Sequence, residues 1–252
     1  MQNLTNKKLF LFYTDKNKES KTGILIEKLQ DKYSDNLVSE ANKADIIICV
    51  WGDGNFFKAA SEFYKLDKYI LPIWTGTINF LLNKINSLDE LDNDFKLFEF
   101  SLIEGEVEFN SWEVKTYSAF NDFYLNADYW KMWNLTIRWE TYPEREISWD
   151  GVIVATPAGS TGYNINAGWV VIPLLDNIWS ITDINSRLSL SHVIEAQNLE
   201  IIVNRRGFVG HFDNNQISDF KKVKLSPCSH KIKMLYTLDN DFENLRYKLK
   251  IF

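Results

Sequence analysis

Cysteine and histidine are scarce in this chain, with two and three residues respectively among 252. Two cysteines provide neither a disulfide framework nor a zinc-ligand pattern, and His192 and His211 have no Cys or His partner at metal-ligand spacing. His230 is expected to be a turn residue. We therefore expect no metal site built from protein side chains. Cys49 stands inside the apolar run Ile46–Val50, and a buried, unpaired thiol suits a reducing compartment. The expected localisation is the cytoplasm.

The chain also lacks long apolar runs, internal repeats and an excess of basic residues. No apolar stretch approaches the ~18 residues that a membrane span needs, and no signal-peptide pattern precedes the first predicted strand. The net charge is −6 and the pI is about 5.2, which argues against non-specific binding to nucleic acid or an anionic membrane. What remains is an ordinary globular composition, 45% hydrophobic and 25% charged. We expect neither nucleic acid nor a membrane as a partner.

The first 95 residues alternate between apolar runs and amphipathic helical patterns. Strands are predicted at Leu9–Tyr13, Ile46–Val50 and Tyr69–Trp74, with helices over Gly23–Tyr33 and from Phe56. This βαβαβ order predicts a Rossmann-like, parallel α/β domain over residues 1–95. In such sheets, ligands bind beyond the carboxyl ends of the strands.

A Gly-Asp-Gly turn follows the second predicted strand. Gly52 and Gly54 let the backbone approach a ligand closely, and the free amides at the start of a helix can bind phosphate oxygens. Asp53 is the one charge in the turn, and a carboxylate beside a phosphate must meet a proton or a metal. It is therefore a candidate base or Mg2+ contact, or else an ordinary turn residue. Asn55 is predicted to be the N-cap of the helix, and a second loop, Thr75–Leu81, is expected on the same edge of the sheet.

Residues 96–236 consist of short segments rich in Val, Ile, Tyr and Trp, which predict a β-rich, sandwich-like domain. The predicted strands include Trp112–Thr116, Leu135–Trp139, Gly151–Ala155, Leu199–Val203 and Val223–Leu225. The loop from Thr156 to Tyr163 combines three hydroxyl residues with glycines and a tyrosine. Such a loop can offer hydroxyl and amide donors to ribose or phosphate while its ring packs against a base; the alternative is a polar surface loop. His211 is expected to be a structural or surface residue.

Several segments of the chain resemble the motifs of the NAD kinase family, in the family's order and over nearly the whole length. The family motifs GGDGT and FLRAA match Trp51–Asn55 and Phe56–Ala60, and TGxLGFL matches Thr75–Leu81. The A-L-N-E motif matches Ala119–Asp122. The strongest match is that of DGxxxSTPTGSTAY to Asp150–Tyr163, and the closing aromatic-LRxKL pattern matches Phe242–Leu249. Each match is weak alone, but together and in register they are specific.

The resemblance implies transfer of a phosphoryl group from ATP or polyphosphate, with Mg2+ bound to the substrate, to the 2′-hydroxyl of the adenosine ribose of NAD, which gives NADP. It also implies a homodimer or homotetramer. The last residues, about 237–252, would return to the first domain, with a helix over Asp239–Phe252.

By the same resemblance, Asp53 would be the catalytic residue that accepts the proton of the attacking hydroxyl or polarises it. Gly52, Gly54 and Asn55 would contact the phosphates of ATP. The residues implied to bind NAD are Thr75, Gly76, Phe80, Asn121, Asp122, Asp150, Thr156, Ser160, Thr161, Gly162 and Tyr163.

Departures from the family motifs leave an alternative open, a catalytically impaired NAD(P)-binding protein of the same fold. Trp51 replaces the first glycine of GGDGT, and its ring could narrow the phosphate channel; Asn55 replaces a threonine. Retention of Asp53 favours an active kinase, because a binding protein has little use for a proton-accepting carboxylate. A lipid or sugar kinase with a similar glycine turn is a weaker hypothesis, since those families have no loop like Thr156–Tyr163.

Overall fold

The computed structural model describes residues 4, 6–14, 19–76, 81–127, 133–141, 143–185, 191–204 and 207–240 of the chain. The chain divides into two compact units, one of Met1–Phe100 with His230–Phe252 and the other of Ser101–Ser229. Each unit has a hydrophobic core of its own. The α/β and β-rich fold classes predicted from the sequence are confirmed, and each class corresponds to one unit.

Strands outnumber helices throughout the described part of the chain. The first half contains β1 (Leu9–Phe12), α1 (Lys21–Lys32), β2 (Ile46–Trp51), α2 (Asp53–Phe63), β3 (Tyr69–Trp74), β4 (Phe95–Phe109), β5 (Val114–Ala119) and β6 (Asp122–Ala127). The second half contains β7 (Trp133–Trp139), β8 (Arg145–Trp149), β9 (Gly151–Ala155), α3 (Tyr163–Asn166), β10 (Ile178–Ile184), β11 (His192–Glu195), β12 (Leu199–Val203), β13 (Phe208–Phe212), β14 (Asn215–Ser218) and β15 (Phe220–Thr237).

The first unit is built on a parallel sheet in the order β1-β2-β3-β15. Strand β2 lies inside this sheet, and Ile46 to Val50 are completely buried, as the unbroken apolar run predicts. Helices α1 and α2 both contact β2. The carboxyl ends of β2 and β3 lie side by side, since Trp51 pairs with Trp74 in the parallel register. The residues that follow these strands therefore share one edge of the sheet.

Helix α1 begins two residues before its predicted start at Gly23. The Ser20 hydroxyl oxygen accepts a hydrogen bond of 2.9 Å from the backbone N–H of Gly23, so Ser20 is the N-cap. The buried face of the helix includes Ile26 and Leu29. This face packs into the core of the first unit.

A completely buried asparagine, Asn83, joins β3 to β15 inside the first unit. Its Nδ2 donates to the carbonyl oxygens of Pro72 at 2.9 Å and Leu235 at 2.8 Å. Its Oδ1 accepts from the backbone N–H of Thr237 at 2.9 Å and from the side chain of Asn240 at 3.1 Å. All four hydrogen-bonding positions of the amide are thus occupied. Asn83 supplements a β3–β15 ladder whose register pairs Tyr69 with Lys233 and Ile70 with Met234.

The second unit contains two sheets that share one core. One sheet has the antiparallel order β11-β10-β9-β6-β13-β14; the other includes β5, β4, β15, β12, β7 and β8. Their buried residues form a single cluster, in which Phe123 and Phe212 pack with ring centroids 4.7 Å apart. Two sheets around one core are the sandwich-like arrangement predicted from the alternating sequence pattern.

Three predicted strands have other bounds in the structure: those predicted at Leu135–Trp139 and Val223–Leu225 are parts of the longer strands β7 and β15, and the third is displaced along the chain. The strand expected at Trp112–Thr116 begins only at Val114 and runs to Ala119. Trp112 is in the turn before it, with φ at +70° and 78% of its surface exposed. The Lys221 ammonium lies 3.2 Å from the centroid of its ring. The β-propensity of tryptophan suggested a strand at this position, but a positive φ is incompatible with one.

The C-terminal helix was predicted over Asp239–Phe252. Asp239 and Asn240 are not helical, and residues 241–252 lie outside the described residues. Within the part of the chain that the structure describes, no helix combines the length and apolar character required to cross a membrane.

We expect Asn83→Ala to lower the free energy of unfolding by about 3 kcal/mol, because the change leaves buried backbone groups of β15 without their partners. Asn93→Ala is the matched control, since Asn93 is an exposed asparagine of the same unit, and it should change the value by less than about 0.5 kcal/mol. Urea denaturation measures both variants. Equal effects of the two substitutions would contradict a structural role of the Asn83 amide.

Candidate functional site

The glycine turn of the first unit connects the end of β2 directly to the start of α2. Gly52 is the N-cap, with extended backbone at φ −106° and ψ 179°. A Cβ placed on Gly52 would meet no atom within 4 Å. The start of an 11-residue helix therefore lies at an open position. Asp53 and Gly54 are the first two residues of α2; their surroundings and the side chain of Trp51 lie outside the described part, so the role of Asp53 stays a prediction.

Asn55 is not the N-cap that the sequence predicts. It is the third residue of α2, and only 8% of its surface is exposed. Its Nδ2 donates to the Val50 carbonyl oxygen at 3.1 Å, while its Oδ1 is buried without a hydrogen-bond partner among the described residues. The cause is the direction of helical side chains, which point back toward the N-terminus and, in α2, onto β2. Asn55 thus ties the helix to the strand end, and its predicted contact with ATP phosphates stays a prediction.

The loop after β3 lies against the glycine turn. A Cβ placed on Gly76 would be 3.6 Å from the Gly52 Cα and 3.5 Å from the Trp74 Nε1. The neighbouring Thr75 Oγ1 is 2.7 Å from the Oγ1 of Thr22 in α1. Two of the predicted site segments are therefore brought together at one sheet edge. Phe80, predicted in the same loop, lies outside the described residues.

In the second unit, the loop after β9 uses its hydroxyl groups for its own folding. The Thr156 Oγ1 donates to the carbonyl oxygens of Phe120 at 2.6 Å and Asn121 at 3.0 Å. The Ser160 Oγ donates to the Pro157 carbonyl oxygen at 2.7 Å, and the Thr161 Oγ1 donates to its own loop at 3.3 Å. Each hydroxyl has one hydrogen, so these are not the free donors that the sequence suggests. A contact of Thr156, Ser160 or Thr161 with a dinucleotide stays a prediction.

Two glycines let this loop pack against the Asn121–Asp122 pair. A Cβ on Gly159 would be only 2.1 Å from the Asn121 carbonyl oxygen, which no ordinary contact permits. A Cβ on Gly162 would be 3.6 Å from the Asn121 Nδ2 and 3.7 Å from the Asp122 Oδ2. The structure thus brings four predicted site positions, Asn121, Asp122, Thr156 and Gly162, into one cluster.

Asp213 holds the backbone of this pair and was missed as a site residue in the sequence. Its carboxylate accepts from the backbone N–H groups of Phe120 at 2.7 Å, Asn121 at 2.9 Å and Asp122 at 3.2 Å. Its own φ is +48°. Burial raises the pKa of Asp213 to about 6, and the three N–H groups oppose that rise. The buried carboxyl of Asp213 therefore lies directly behind the backbone of the pair.

Asp122 is a carboxyl that is mainly protonated at neutral pH. Burial, and secondly the charge of Asp213, raise its pKa to about 8. A protonated carboxyl donates one hydrogen bond and accepts others, whereas a carboxylate only accepts. Beside it, the Asn121 Oδ1 is buried and has no partner among the described residues. The pair therefore offers at least one acceptor and one donor for a polar ligand.

Aromatic rings lie next to this pair. Tyr124 stacks on His211 with centroids 4.5 Å apart and an interplanar angle of 12°, and it contacts the edge of Tyr163 at 5.1 Å. Burial raises the pKa of Tyr124 and lowers that of His211, so His211 tends to be neutral. The histidine is a structural residue, as predicted, but its place beside the cluster was not predicted. Its position two residues before Asp213 is the feature of the sequence that could have indicated this place.

Asp150 is not joined to this cluster by any described contact. Its Oδ2 accepts from the Asn185 side chain at 3.1 Å, and its carbonyl oxygen accepts from the Ala127 backbone N–H at 2.7 Å. These bonds order the start of β9. A contact of Asp150 with NAD stays a prediction. Among the described residues, no group of three or more His, Cys, Asp or Glu side chains could hold a metal ion.

The family model of the ATP-NAD kinase C-terminal domain matches residues 121–213 of this chain. The NAD kinase of Sulfurimonas denitrificans is 33% identical over 154 residues, which cover 57% of this chain and 52% of that protein. The NAD kinase of Photorhabdus laumondii is 27% identical over 240 residues, covering 88% and 81%. The chain thus spans about half the length of the first relative and about four fifths of the second.

Solved structures are similar in fold over most of the chain. Yeast NADH kinase complexed with NADH superposes with a TM-score of 0.82 at 17% identity, covering 96% of this chain and 87% of that one. An NAD kinase from Archaeoglobus fulgidus in complex with ATP superposes with a TM-score of 0.75 at 16% identity, covering 96% and 97%. At these identities the likeness shows the fold.

We expect Gly159→Ala to lower the free energy of unfolding by more than about 2 kcal/mol, because the new methyl must displace the Asn121 backbone. Gly52→Ala is the matched control: its methyl enters open space, and the loss should stay below about 1 kcal/mol. Chemical denaturation of the two variants and the unmodified chain makes the comparison. A Gly159 variant as stable as the Gly52 variant would refute the close packing of the loop on Asn121.

We expect the stability of the protein to fall as pH rises from about 4 to about 8. Folding raises the pKa of Asp122 from 3.8 to about 8, and such a carboxyl stabilises the fold fully below its unfolded pKa and loses that contribution as pH rises through its folded pKa. Asp122→Asn cannot ionise, so its stability should fall less over this range. The measurement is the free energy of unfolding against pH, with the exposed Asp31→Asn as control. Parallel curves for the Asp122 variant and the unmodified chain would contradict the assignment.

Proposed function

This chain belongs to the NAD kinase family, and on that premise we propose that it phosphorylates the 2′-hydroxyl of the adenosine ribose of NAD and so makes NADP. ATP is the proposed donor, with polyphosphate as a second donor to test. Mg2+ would arrive as part of the donor substrate, bound to its phosphates.

One observation carries the proposal. The family match begins at Asn121 and ends at Asp213, and these two residues are joined by a backbone N–H to carboxylate bond of 2.9 Å. The matched segment is therefore a closed structural unit that includes the cluster of Asn121, Asp122 and Gly162. Its ligand would be the dinucleotide, with the Asn121 Oδ1 and the Asp122 carboxyl available for polar groups of the adenosine.

In the proposed reaction, the 2′-oxygen forms a bond to the terminal phosphorus of the donor while the bond from that phosphorus to the bridging oxygen breaks. The proton of the hydroxyl passes to Asp53, the proposed catalytic residue. Gly52, Gly54 and the first amides of α2 would contact donor phosphates, and the open space around Gly52 suits that role. Thr75, Gly76, Asp150 and Tyr163 are proposed contacts of NAD.

The alternative is a catalytically impaired NAD(P)-binding protein of the same fold. The comparisons favour the kinase, because the relatives from Sulfurimonas and Photorhabdus are NAD kinases. Trp51, where the family has glycine, remains the departure that this alternative depends on. We further propose a cytoplasmic homodimer or homotetramer, which analytical ultracentrifugation of the purified protein would test.

We expect purified protein to form NADP from NAD, ATP and Mg2+, and Asp53→Asn to lower kcat at least about 100-fold, because the amide cannot accept the proton. NADP formation is followed with an NADP-specific dehydrogenase. The exposed Asp31→Asn should keep full activity. NAD should still raise the melting temperature of the Asp53 variant, which separates lost chemistry from lost binding.

Two results would change the conclusion. If Asp53→Asn turns over at the rate of the unmodified chain, Asp53 is not the proton acceptor. If the unmodified chain makes no NADP with ATP or polyphosphate, yet NADP raises its melting temperature, the non-catalytic binding protein replaces the kinase.

A further inference from the structure

Asn164 is completely buried beside the proposed dinucleotide contacts, and it follows Tyr163, the last residue of the strongest family motif. It is the second residue of α3, a helix of only four residues. One helical turn fixes more backbone angles than its hydrogen bonds repay, so it is not stable by itself. Gly162, which precedes the helix, has no side chain that could cap it. Contacts outside the helix must therefore hold α3 in place.

Strand β10 supplies two of these contacts. Trp179 and Ile181 belong to the core of the second unit, so the residues that alternate with them, Ser180 and Thr182, are on the opposite face of the strand. Both are completely buried. The Asn164 Oδ1 accepts from the Ser180 Oγ at 2.7 Å and from the Thr182 Oγ1 at 2.5 Å. Asn164 therefore joins α3 to the face of the sheet that is turned away from the core.

The amide nitrogen of the same side chain holds the chain on both sides of α3. Its Nδ2 donates to the Val170 carbonyl oxygen at 3.0 Å and to the Ser160 carbonyl oxygen at 3.4 Å. A carbonyl oxygen can only accept, so these contacts fix which end of the amide carries the nitrogen. The Ser160 Oγ in turn accepts from the backbone N–H of Ile172 at 2.9 Å. All four hydrogen-bonding positions of the Asn164 amide are thus occupied within the protein.

Two of the proposed dinucleotide contacts stand directly before Asn164 in the chain. The ring of Tyr163 meets the edge of Tyr124 with centroids 5.1 Å apart, and Gly162 lies against the Asn121–Asp122 pair. Neighbouring Cα atoms are only about 3.8 Å apart, so a shift of Asn164 moves both residues with it. The contacts of Asn164 therefore determine where Tyr163 and Gly162 lie.

We propose that Asn164 is a positioning residue of the dinucleotide site, which acts through Tyr163 and Gly162 and does not touch the ligand. The proposal rests on the proposed function. Asn164 keeps α3 and the loop before it in the binding conformation, so NAD does not have to order them when it binds. The affinity for NAD therefore depends on the four hydrogen bonds of this amide. The donor contacts proposed for the first unit do not depend on them.

The test compares two substitutions of about equal size. Asn164→Leu has no polar side-chain atoms and should weaken NAD binding at least about tenfold in titration calorimetry of the whole protein. Asn164→Asp should bind NAD within about threefold of the unmodified chain at pH about 6. Its neighbours are hydroxyls and carbonyls, so burial raises its pKa, and a protonated carboxyl can donate to Val170 while it accepts from Ser180. The control is Asn177→Leu, since Asn177 is exposed just before β10.

A second variant decides the question if Asn164→Leu does not fold. Ser180→Ala combined with Thr182→Val removes both hydroxyls that donate to the Asn164 Oδ1, and NAD binding should weaken at least about fivefold. Circular dichroism and urea denaturation measure the folding of every variant. A purely structural residue would lower the free energy of unfolding and leave the Kd for NAD unchanged. In turnover, a positioning role raises the KM for NAD and leaves the KM for ATP within about twofold.

The outcomes separate this inference from the proposed function. Unchanged NAD affinity in folded Asn164→Leu, or in the double variant, overturns the positioning role even if NADP forms. Equal weakening by Asn164→Asp and Asn164→Leu also overturns it, because the hydrogen bonds would then not matter. If NAD binding weakens as expected while the unmodified chain makes no NADP, the positioning role holds and only the kinase activity fails. If the unmodified chain does not bind NAD, both conclusions fail.

Discussion

The carboxylate of Asp213 accepts hydrogen bonds from three successive backbone amides, and the arrangement of the second unit's site depends on that contact. The amides belong to Phe120, Asn121 and Asp122, so the backbone of the pair is fixed against Asp213 while the loop after β9 packs on it. A carboxylate withdrawn from water is costly unless such donors surround it. In this fold the donors come from residues about ninety positions earlier in the chain. Its own burial, and secondly the charge of Asp213, raise the pKa of the neighbouring Asp122.

In the first unit the requirement is different, because the backbone must be accessible at the point where a buried strand ends. Strand β2 is apolar along its length, and its neighbours β1 and β3 hold it on both sides. The chain then enters α2 at Gly52 without a side-chain cap. Asn55 donates from its side chain to the Val50 carbonyl oxygen, so the first turn stays attached to the strand. The loop at Gly76 is close enough to this turn for both to contact one ligand.

Local patterns in the sequence predicted several of the elements but not the contacts that shape the site. Ile46–Val50 and Gly151–Ala155 are unbroken apolar runs, and the structure has strands there. Asn55 has the right residue type for a cap, yet its side chain turns back to the strand, which depends on the position of β2 rather than on the helix. Asp213 was missed because nothing nearby in sequence shows that its carboxylate meets the backbone of Phe120. Long-range hydrogen bonds of this kind have no periodicity, so only the fold reveals them.

The inward hydroxyls of Thr156, Ser160 and Thr161 have a consequence for ligand affinity. A loop that is already closed by its own hydrogen bonds has little conformational entropy left to lose when a ligand arrives. Its contribution to affinity then comes from shape and from the amides and side chains that it supports, including Asn121 and Asp122. At the proposed dinucleotide site, an analogue with added acceptors toward those hydroxyls would gain little affinity. A group that accepts a hydrogen bond from the protonated carboxyl of Asp122 would increase the affinity more. That increase would be lost in alkaline solution, because the carboxyl ionises there.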